Sequence, residues 1–337
     1  MSKKVKAAVA GANGYAGMTL VNLLARHPSV ELRQLTSRSF AGKPFESVFP
    51  LLDLKGEFVP DPDPAGIDVV FSCLPHNVGA AKAGGWLEAG ARVIDMSADF
   101  RLKDPSQYPM WYRQEHPAQA LLGKAVLGLP ELHESELVGA ELIAVPGCYS
   151  TAGILALAPA VASGLVGSDI IIDAKSGVSG SGRSPSIGVH FSEVNESLGA
   201  YAIAGHRHLP EMTQELSALG RNALRLTFVP HLAPMTRGIL ATCYFDLKGS
   251  LAQLQDAYRE FYAGQPFTRV VPQTPTTKLA SHSNLCLVNV SAQNDKVVVT
   301  AALDNLVKGA SGQGVECFNI AFGFGRKTAL EAPIQWP

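Results

Sequence analysis

Short apolar runs alternate with helical patterns along the first half of the chain. The runs that predict strands are Val5–Ala10, Val30–Thr36, Asp68–Cys73, Arg92–Met96 and Leu142–Val145. The patterns that predict helices between them include Tyr15–Arg26 and Val78–Ala89. Strands that alternate with helices are typical of right-handed βαβ units, which build a parallel sheet. This half of the chain therefore predicts a doubly wound α/β domain.

The second half has a different pattern, in which strand-like runs follow one another. After a helix at Ser150–Ala162, the predicted strands are Ile170–Ala174, Arg225–Val229, Gly238–Phe245, Leu285–Ser291 and Val297–Leu303. The last two strands read as a hairpin around Asn294-Asp295, and a further helix is predicted at Leu251–Tyr262. This succession predicts an α+β domain with a mixed or antiparallel sheet. The domain boundary is predicted near 145–148, with a final helix at Gly309–Phe322 returning to the first domain.

One uncharged stretch, Leu142–Ser168, exceeds the ~20 residues of a membrane span. Hydrophobic residues make up 47% of the chain and charged residues only 17%, against about 25% in typical domains. The stretch is interrupted by Pro146, Gly147, Pro159 and Gly164. A strand, a tight turn and a buried helix therefore explain it better than a membrane span does.

The charges of the chain nearly cancel, since 28 Lys and Arg face 29 Asp and Glu. A net charge of −1 leaves no electrostatic footprint for nucleic acid. The amino terminus lacks the apolar core of a signal peptide. Five cysteines, an odd number without a CxxC pair, are typical of a reducing compartment. These features predict a cytoplasmic protein with neither a nucleic-acid nor a membrane partner.

A glycine-rich turn follows the first predicted strand and leads directly into a helix. Its glycines are Gly11, Gly14 and Gly17, with Asn13 and Tyr15 between them. Glycines at such a turn let the backbone approach a pyrophosphate, which the N–H groups of the helix N-terminus can bind. The strand–turn–helix context favours a dinucleotide-binding Rossmann domain over an ordinary glycine-rich turn.

The end of the second predicted strand indicates which dinucleotide is bound. NAD sites usually place an acidic residue there, whereas this chain has Ser37 and Arg38 without a carboxylate. An arginine flanked by hydroxyl groups suits a 2′-phosphate, so NADP is favoured over NAD. A solvated surface arginine is the alternative.

Cys148 is the best candidate for a nucleophile. It lies between a predicted strand and a predicted helix, and a helix N-terminus favours the thiolate. N–H groups of the same turn are suited to hold a developing oxyanion. The other cysteines lie in apolar runs and are expected to be buried: Cys73, Cys243, Cys286 and Cys317.

Two histidines, His206 and His208, precede a helix whose first turn is predicted to hold Pro210 and Glu211. Two imidazoles so close together favour acid–base catalysis over a surface role. His231 is expected to be structural. No cluster of His, Cys and Asp has the spacing of a metal site.

Two further segments are candidates for anion binding. The segment 175–183 is rich in glycine and hydroxyl groups and has a cation at each end, although a flexible linker is the alternative. Arg101 follows the end of a predicted strand, where doubly wound sheets bind ligands, and is suited to grip a carboxylate or phosphate.

Seven segments together resemble the N-acetyl-gamma-glutamyl-phosphate reductase family of arginine biosynthesis. They are GANGYAG, SADFRL, AVPGCYSTA, SGVSGSGR, HRHLPE, FVPHLAPMTRGI and DNLVKGASGQ, in order from Gly11 to Gln313. The resemblance covers nearly the whole chain, and VPGCY together with HRHLPE is its most specific part. It implies an NADP-binding Rossmann domain at 1–147, completed by 305–337, and a catalytic and oligomerisation domain at 148–304.

The resemblance also implies roles for individual residues. Cys148 would attack the acyl phosphate and form a thioester, which hydride from NADPH reduces, with His208 as the general acid and base. Arg101 and Ser176 would contact the substrate, and His206 and Glu211 would orient the substrate site. Asn305 would lie near the nicotinamide. We also predict cofactor contacts for Ser179 and Gly180 of the glycine-rich segment.

Three other functions remain open at this stage. A reductase of aminoadipyl phosphate or of a carrier-linked acyl phosphate, as in lysine biosynthesis, would use the same chemistry. A cysteine hydrolase would use Cys148 and His208 but needs no dinucleotide, and a non-catalytic NADP sensor would need neither residue. The predicted partners are the acyl-phosphate substrate, phosphate and further copies of the chain, as a dimer or tetramer.

Overall fold

The computed structural model describes residues 4–221 and 223–331, which form two compact units. The chain passes from the first unit to the second at Pro146–Gly147 and returns at Gly309–Ala310. Of the carboxyl-terminal segment predicted to complete the first domain, residues 332–337 lie outside the described residues.

The first unit is built on a parallel sheet. Its strands are β1 Val5–Ala10, β2 Val30–Leu35, β3 Val69–Ser72, β4 Arg92–Asp95, β5 Val126–Leu127 and β6 Leu142–Ala144. They lie in the order β2-β1-β3-β4-β6-β5, and every neighbouring pair is parallel. The order reverses at β1, and doubly wound sheets bind ligands at the carboxyl end of such a reversal. The glycine-rich turn after β1 occupies that place.

Helices cover both faces of this sheet. They are α1 Tyr15–Leu24, α2 Ala80–Glu88, α3 Gln107–Tyr112, α4 Pro130–Leu137 and α10 Gly312–Ala321. On one face, Trp86 of α2 and Tyr108 of α3 join a core cluster with Val70. Neighbouring residues of a strand face opposite sides, so Phe71 packs on the other side, where its ring lies 5.7 Å from that of Phe318 in α10.

The second unit holds a mixed sheet of seven strands. They are β7 Val166–Gly177, β8 Gly199–Ala200, β9 Arg225–Ala233, β10 Ile239–Leu247, β11 Thr268–Val270, β12 Cys286–Gln293 and β13 Lys296–Leu303. Their order is β11-β12-β13-β10-β7-β9-β8. The helices of this unit are α5 Cys148–Ala162, α6 Phe191–Val194, α7 Leu209–Gly220, α8 Leu251–Phe261 and α9 Thr277–Ala280.

Helix α5 is the central helix of the second unit. Every residue from Tyr149 to Val161 is buried, because α5 packs against the sheet on one side and against α7 and α8 on the others. A helix that is apolar on all sides belongs in a core or a membrane. The prediction of a strand, a turn and a buried helix for 142–168 is confirmed. Among the described residues, no helix is both long and apolar enough to cross a membrane.

The other predicted elements are confirmed in kind, with differences at their ends. The β12–β13 hairpin turns at Asn294, whose φ of +53° is tolerated by asparagine. The last helix begins at Gly312 rather than Gly309, because Val307–Ser311 forms a π-helical turn. Several short elements were not predicted, since two to eight residues carry little periodicity: β5, β8, β11, α3, α4, α6 and α9.

Candidate active site and nucleotide-binding turn

Cys148 is the first residue of α5 and is half-buried. Its predecessor Gly147 has extended backbone angles, φ −65° and ψ 152°, which turn the chain from β6 into the helix. The first N–H groups of a helix have no carbonyl of that helix to bond, and the helix dipole favours negative charge there. The thiol therefore lies where a thiolate and an oxyanion are both stabilised.

The imidazole of His208 lies against the backbone that presents Cys148. A Cβ atom on Gly147 would lie 2.3 Å from Nε2 of His208 and 2.5 Å from Cδ2, so only glycine leaves room for the ring. His208 is buried and precedes α7 as its N-cap residue. The VPGCY and HRHLPE segments therefore form the N-termini of α5 and α7, and these two helix N-termini lie in contact.

Glu211 fastens the two helix starts together. Its carboxylate accepts a hydrogen bond of 2.9 Å from the N–H of Gly147, and the side chain is only 1% exposed. Ser150 adds a second link, because its hydroxyl donates to the carbonyl of His208 at 3.4 Å. Glu211 was predicted to orient the substrate site. This geometry points to a positioning role behind Cys148, and direct contact with substrate stays a prediction.

His206 stands beside His208 with its ring centroid 4.7 Å away. Its Nδ1 accepts a 3.2 Å hydrogen bond from the backbone N–H of His208, which places the proton of the neutral ring on Nε2. Burial, together with the positive charge of Arg207, lowers the pKa of His206 to about 4. His206 is therefore a neutral imidazole at physiological pH.

Three aromatic side chains that sequence reasoning missed surround these imidazoles: Tyr149, Tyr201 and Phe228. Burial and the neighbouring Tyr201 hydroxyl raise the pKa of Tyr149, so its hydroxyl stays protonated and donates to the carbonyl of His231 at 2.9 Å. Tyr149 adjoins Cys148 in sequence, which is the one local signal that could have identified it. Nδ1 of His231 lies 3.1 Å from a carboxylate oxygen of Asp173.

The first part of the glycine-rich segment 175–183 is bonded to a neighbouring turn, which is not expected of a flexible linker. Its first residues end β7, and Val178–Ser181 form a 3-10 turn. Backbone N–H groups of residues 177–179 donate to the carbonyls of Gly238, Met235 and Thr236. Lys175, at one end, pairs with Asp173 at 2.9 Å.

Four residues predicted to bind substrate or cofactor meet at this turn. The amide of Asn305 donates to the Ser179 hydroxyl at 2.9 Å and accepts from the N–H of Gly238 at 2.8 Å. Ser176 donates to the carbonyl of Gly177, and a Cβ on Gly180 would lie 3.1 Å from the Ser176 hydroxyl. The structure brings these residues together, while their contacts with ligands stay predictions.

In the first unit, the turn after β1 is shaped as a dinucleotide site requires. Gly11 has a φ of +79°, and a Cβ there would lie 2.6 Å from the carbonyl oxygen of Cys73. A Cβ on Gly17 would lie 2.3 Å from the carbonyl oxygen of Gly11, so this glycine lets α1 pack directly on the turn. Gly14 is the N-cap residue of α1 and provides no side-chain cap. The first N–H groups of α1 are therefore available to a ligand.

The loop after β2 lies beside this turn. Asn13 donates to the Ser39 hydroxyl at 3.2 Å, and the hydroxyls of Ser37 and Ser39 are 3.3 Å apart. Arg38 is exposed, with no hydrogen bond or ion pair to any described residue, and Tyr15 is 39% exposed. The glycine cradle and the basic loop fit a dinucleotide.

Arg101 is tied to the backbone of the same unit. Its guanidinium donates to the carbonyls of Val145 at 2.7 Å and Met96 at 3.0 Å, and the side chain is 7% exposed. These bonds hold the ends of β4 and β6 together. The predicted contact of Arg101 with substrate stays a prediction.

A buried carboxyl group, that of Asp95, lies at the end of β4. One of its oxygens accepts from the Ser97 hydroxyl at 2.7 Å, while the other, like the Ser72 hydroxyl, has no partner among the described residues. Both lone atoms face the space beside Gly79. Burial and the charge of Asp99 raise the pKa of Asp95 to about 7.

Replacing Asp95 with asparagine is expected to stabilise the protein above neutral pH. A raised pKa means that the folded protein holds a proton that the unfolded chain releases near pH 4, so stability falls as pH rises from about 4 to about 7. Asparagine has no proton to lose in this pH range, so this pH-dependent loss of stability is absent from the variant. Melting temperature at pH 8 should rise by a few degrees, with a smaller change at pH 5.

Asp99 provides the matched control. Although burial opposes it, hydrogen bonds from His76 and from the N–H groups of Asn77 and Ala80 lower the pKa of Asp99. Asp99→Asn should therefore lower the melting temperature at pH 8. An Asp95→Asn variant that melts lower than the wild type at pH 8 would contradict the prediction.

Two other outcomes concern the remaining cysteines and metal binding. Cys243, Cys286 and Cys317 are buried as predicted, but Cys73 is half-buried, because it follows β3 rather than lying within it. None of the five cysteines is in a disulfide. Within 4–221 and 223–331, no group of three or more His, Cys, Asp or Glu could hold a metal ion.

Comparison with known proteins matches both units to domains of semialdehyde dehydrogenases. Residues 6–140 match the family model of the semialdehyde dehydrogenase NAD binding domain, and residues 148–305 match the semialdehyde dehydrogenase dimerisation domain. The chain is similar to N-acetyl-gamma-glutamyl-phosphate reductase of Dehalococcoides mccartyi (strain CBDB1). The two are 46% identical over 340 residues, 99% of this chain and 100% of the relative.

Solved structures show the same fold at low identity. Aspartate semialdehyde dehydrogenase II of Vibrio cholerae, complexed with ASA, has a TM-score of 0.73 at 16% identity, covering 95% of this chain and 98% of that chain. Aspartate semialdehyde dehydrogenase of Candida albicans, with NADP, has a TM-score of 0.71 at 17% identity, covering 94% and 98%. The two-unit α/β architecture is therefore shared with these enzymes.

Proposed function

Because the chain belongs to the N-acetyl-gamma-glutamyl-phosphate reductase family, whose members are phosphorylating semialdehyde dehydrogenases, we propose that it reduces N-acetyl-gamma-glutamyl phosphate with NADPH. The products are N-acetylglutamate 5-semialdehyde, NADP and phosphate, and the reaction is reversible. The observation that carries the proposal is the placement of Cys148 at the start of α5, with the His208 imidazole against Gly147.

In the proposed mechanism, Cys148 forms a covalent bond with the substrate. Its sulfur attacks the carbonyl carbon of the acyl phosphate, and the bond from that carbon to the phosphate oxygen breaks. Phosphate leaves with the bonding electrons, and the acyl group remains as a thioester on Cys148. N–H groups at the start of α5 stabilise the negative charge that develops on the carbonyl oxygen.

His208 moves protons at the same site. As a base it accepts the proton of the Cys148 thiol, and as an acid it protonates the substrate oxygen when the thioester is reduced. His208, again as a base, accepts the hydroxyl proton of the resulting thiohemiacetal as its C–S bond breaks, which releases the semialdehyde and restores the thiolate. Glu211 and His206 orient this pair through Gly147 and the backbone of His208.

The first unit would hold NADP at the turn of Gly11, Gly14 and Gly17, where a pyrophosphate would meet the N–H groups of α1. When bound, the cofactor supplies the hydride that reduces the thioester carbon. Arg38 and Ser37 would bind the 2′-phosphate, which distinguishes NADP from NAD. In this proposal the predicted domain 1–147 with 305–337 binds the cofactor, and 148–304 carries catalysis.

Arg38→Ala tests the choice of cofactor. The variant should raise the KM for NADPH about tenfold or more, because one charge-assisted contact to the 2′-phosphate contributes ~1.5–3 kcal/mol. The KM for NADH should change less than twofold, since NADH lacks that phosphate. Steady-state rates with both cofactors give the comparison. Equal weakening of NADPH and NADH would remove Arg38 from phosphate binding.

The function itself is tested in the reverse direction. Purified protein should reduce NADP in the presence of N-acetylglutamate semialdehyde, and only when inorganic phosphate is added. A comparison of the acetylglutamyl and aminoadipyl substrates decides between the two acyl phosphates. Preference for the longer or carrier-linked substrate would overturn the assignment, and turnover without a dinucleotide would indicate a cysteine hydrolase.

We also propose that copies of this chain associate through the second unit, as a dimer or tetramer. Its match to a dimerisation domain supports this, and so do four exposed apolar side chains within residues 187–203. These are Ile187, Phe191, Leu198 and Ile203, which are 84%, 73%, 61% and 67% exposed. Sedimentation of the purified chain measures the assembly. The odd number of cysteines without a CxxC pair supports a cytoplasmic location.

A further inference from the structure

We infer that Asp304 is a positioning residue for the nucleophile, acting through the turn from Asp304 to Gly309. The inference rests on the proposed function, in which Cys148 is the nucleophile. Asp304 lies between β13 and the π-helical turn, and it is completely buried. Burying a carboxylate is unfavourable unless hydrogen bonds and an opposite charge compensate it, so the groups around Asp304 show what it holds in place.

The carboxylate of Asp304 fixes the backbone of its own turn. One oxygen accepts hydrogen bonds from the N–H groups of Leu306 at 2.8 Å and Val307 at 3.0 Å. The carbonyl of Asp304 accepts a further bond of 2.9 Å from the N–H of Gly309. The turn from Asp304 to Gly309 is therefore closed by the residue that begins it.

Two other segments are anchored on the second oxygen. It accepts a 2.7 Å hydrogen bond from the N–H of His282, whose φ of +61° is unusual for a residue with a side chain. The guanidinium of Arg237 lies 3.3 Å away and supplies the opposite charge. Arg237 precedes Gly238, whose N–H holds the amide of Asn305. One buried carboxylate thus joins three segments around Asn305.

The far end of the turn packs on the nucleophile. A Cβ on Gly309 would lie 2.8 Å from the Cβ of Cys148, closer than real side chains approach. The same Cβ would lie 3.2 Å from Leu303 and 3.3 Å from the carbonyl of Asp304. The backbone of Gly309 therefore packs directly against the Cys148 side chain. Asp304 fixes the position of that backbone.

Two variants test this role. Asp304→Asn keeps the shape of the side chain but replaces one acceptor oxygen with a donor that faces N–H groups. Gly309→Ala leaves Asp304 intact and places a methyl group against Cys148. Each should lower kcat at least tenfold, change the KM for the acyl phosphate less than threefold, and change the rate at which iodoacetamide alkylates Cys148. All measurements are made well below the melting temperature of each variant.

Matched controls are available on the surface. Asp256→Asn removes an exposed carboxylate that pairs with Arg259 on α8, and Gly84→Ala adds a methyl group where no atom lies within 4 Å. Both should retain the wild-type kcat and alkylation rate. A loss of melting temperature alone, with both rates unchanged in Asp304→Asn, would overturn the inference.

The outcomes separate this inference from the proposed function. If Asp304→Asn does not fold, Gly309→Ala decides, and wild-type kcat and alkylation in that variant overturn the inference. If Cys148→Ser remains active, Cys148 is not the nucleophile, and both the proposed mechanism and this inference are excluded. If Cys148→Ser is inactive while the Asp304 and Gly309 variants behave as wild type, only the positioning role is lost.

Discussion

Cys148→Ser is expected to lower the phosphate-dependent reduction of NADP by roughly 10⁴-fold or more, because the loss of a covalent nucleophile removes the main route of catalysis. A serine hydroxyl at the start of α5 is not ionised at neutral pH, and the thioester cannot form. The fold should be unchanged, since the oxygen replaces a sulfur that is half-buried. The assay is initial-rate absorbance of NADPH, with melting temperature measured in parallel.

Cys73 serves as the matched control for this variant. It is the other half-buried cysteine, but burial and the charge of Asp95 raise its pKa to about 12, so it stays a thiol. Cys73→Ser should therefore keep activity within a few-fold of the wild type. Incubation of the wild type with the acyl phosphate, without NADPH, should also release phosphate in a burst equal to one acyl group per chain. Full activity in Cys148→Ser would exclude the thioester mechanism.

Gly147→Ala is expected to have the second largest effect, although it changes no group that reacts. Its Cβ would occupy the position of the His208 imidazole, 2.3 Å from Nε2, so the ring must move. Displacement of a catalytic group by about 1 Å can cost roughly 10²-fold in rate. We expect kcat to fall by about that factor or more, with a smaller change in KM.

The readout that distinguishes displacement from unfolding is the pH dependence of kcat. A displaced His208 should change the limb of the profile that reports the general base, while the melting curve remains cooperative. Gly84→Ala, which meets no atom, is the control for adding a methyl group. Wild-type kcat in Gly147→Ala would show that the His208 ring is not needed where the structure places it.

Local sequence signals were enough to find the two halves of the proposed active site. Cys148 was marked by its place between a strand and a helix, and His208 by its place before Pro210 and Glu211. These signals are local because helix starts are determined by a few neighbouring residues. The glycine turn after β1 was found for the same reason, since a positive φ at Gly11 requires glycine.

What sequence reasoning missed depends on contacts between distant residues. Nothing near Glu211 indicates that its partner is the N–H of Gly147, 64 positions away. Phe228, which contacts His206, is one of many apolar residues in its strand. Arg101 is predicted to bind an anion, and the structure shows that its guanidinium donates to two backbone carbonyls. No pattern of side chains in the sequence predicts those bonds.

The first crossing of the chain between its units has a practical consequence for dissecting the protein. The second unit begins at Gly147, one residue before Cys148. A fragment cut at this point would carry a new ammonium group in place of the amide that bonds Glu211. A positive charge beside a thiol favours the thiolate, so such a fragment would overstate the reactivity of Cys148. The environment of the proposed nucleophile therefore depends on the peptide bond between Pro146 and Gly147. The reactivity of Cys148 measured on the isolated second unit would differ from its reactivity in the whole chain.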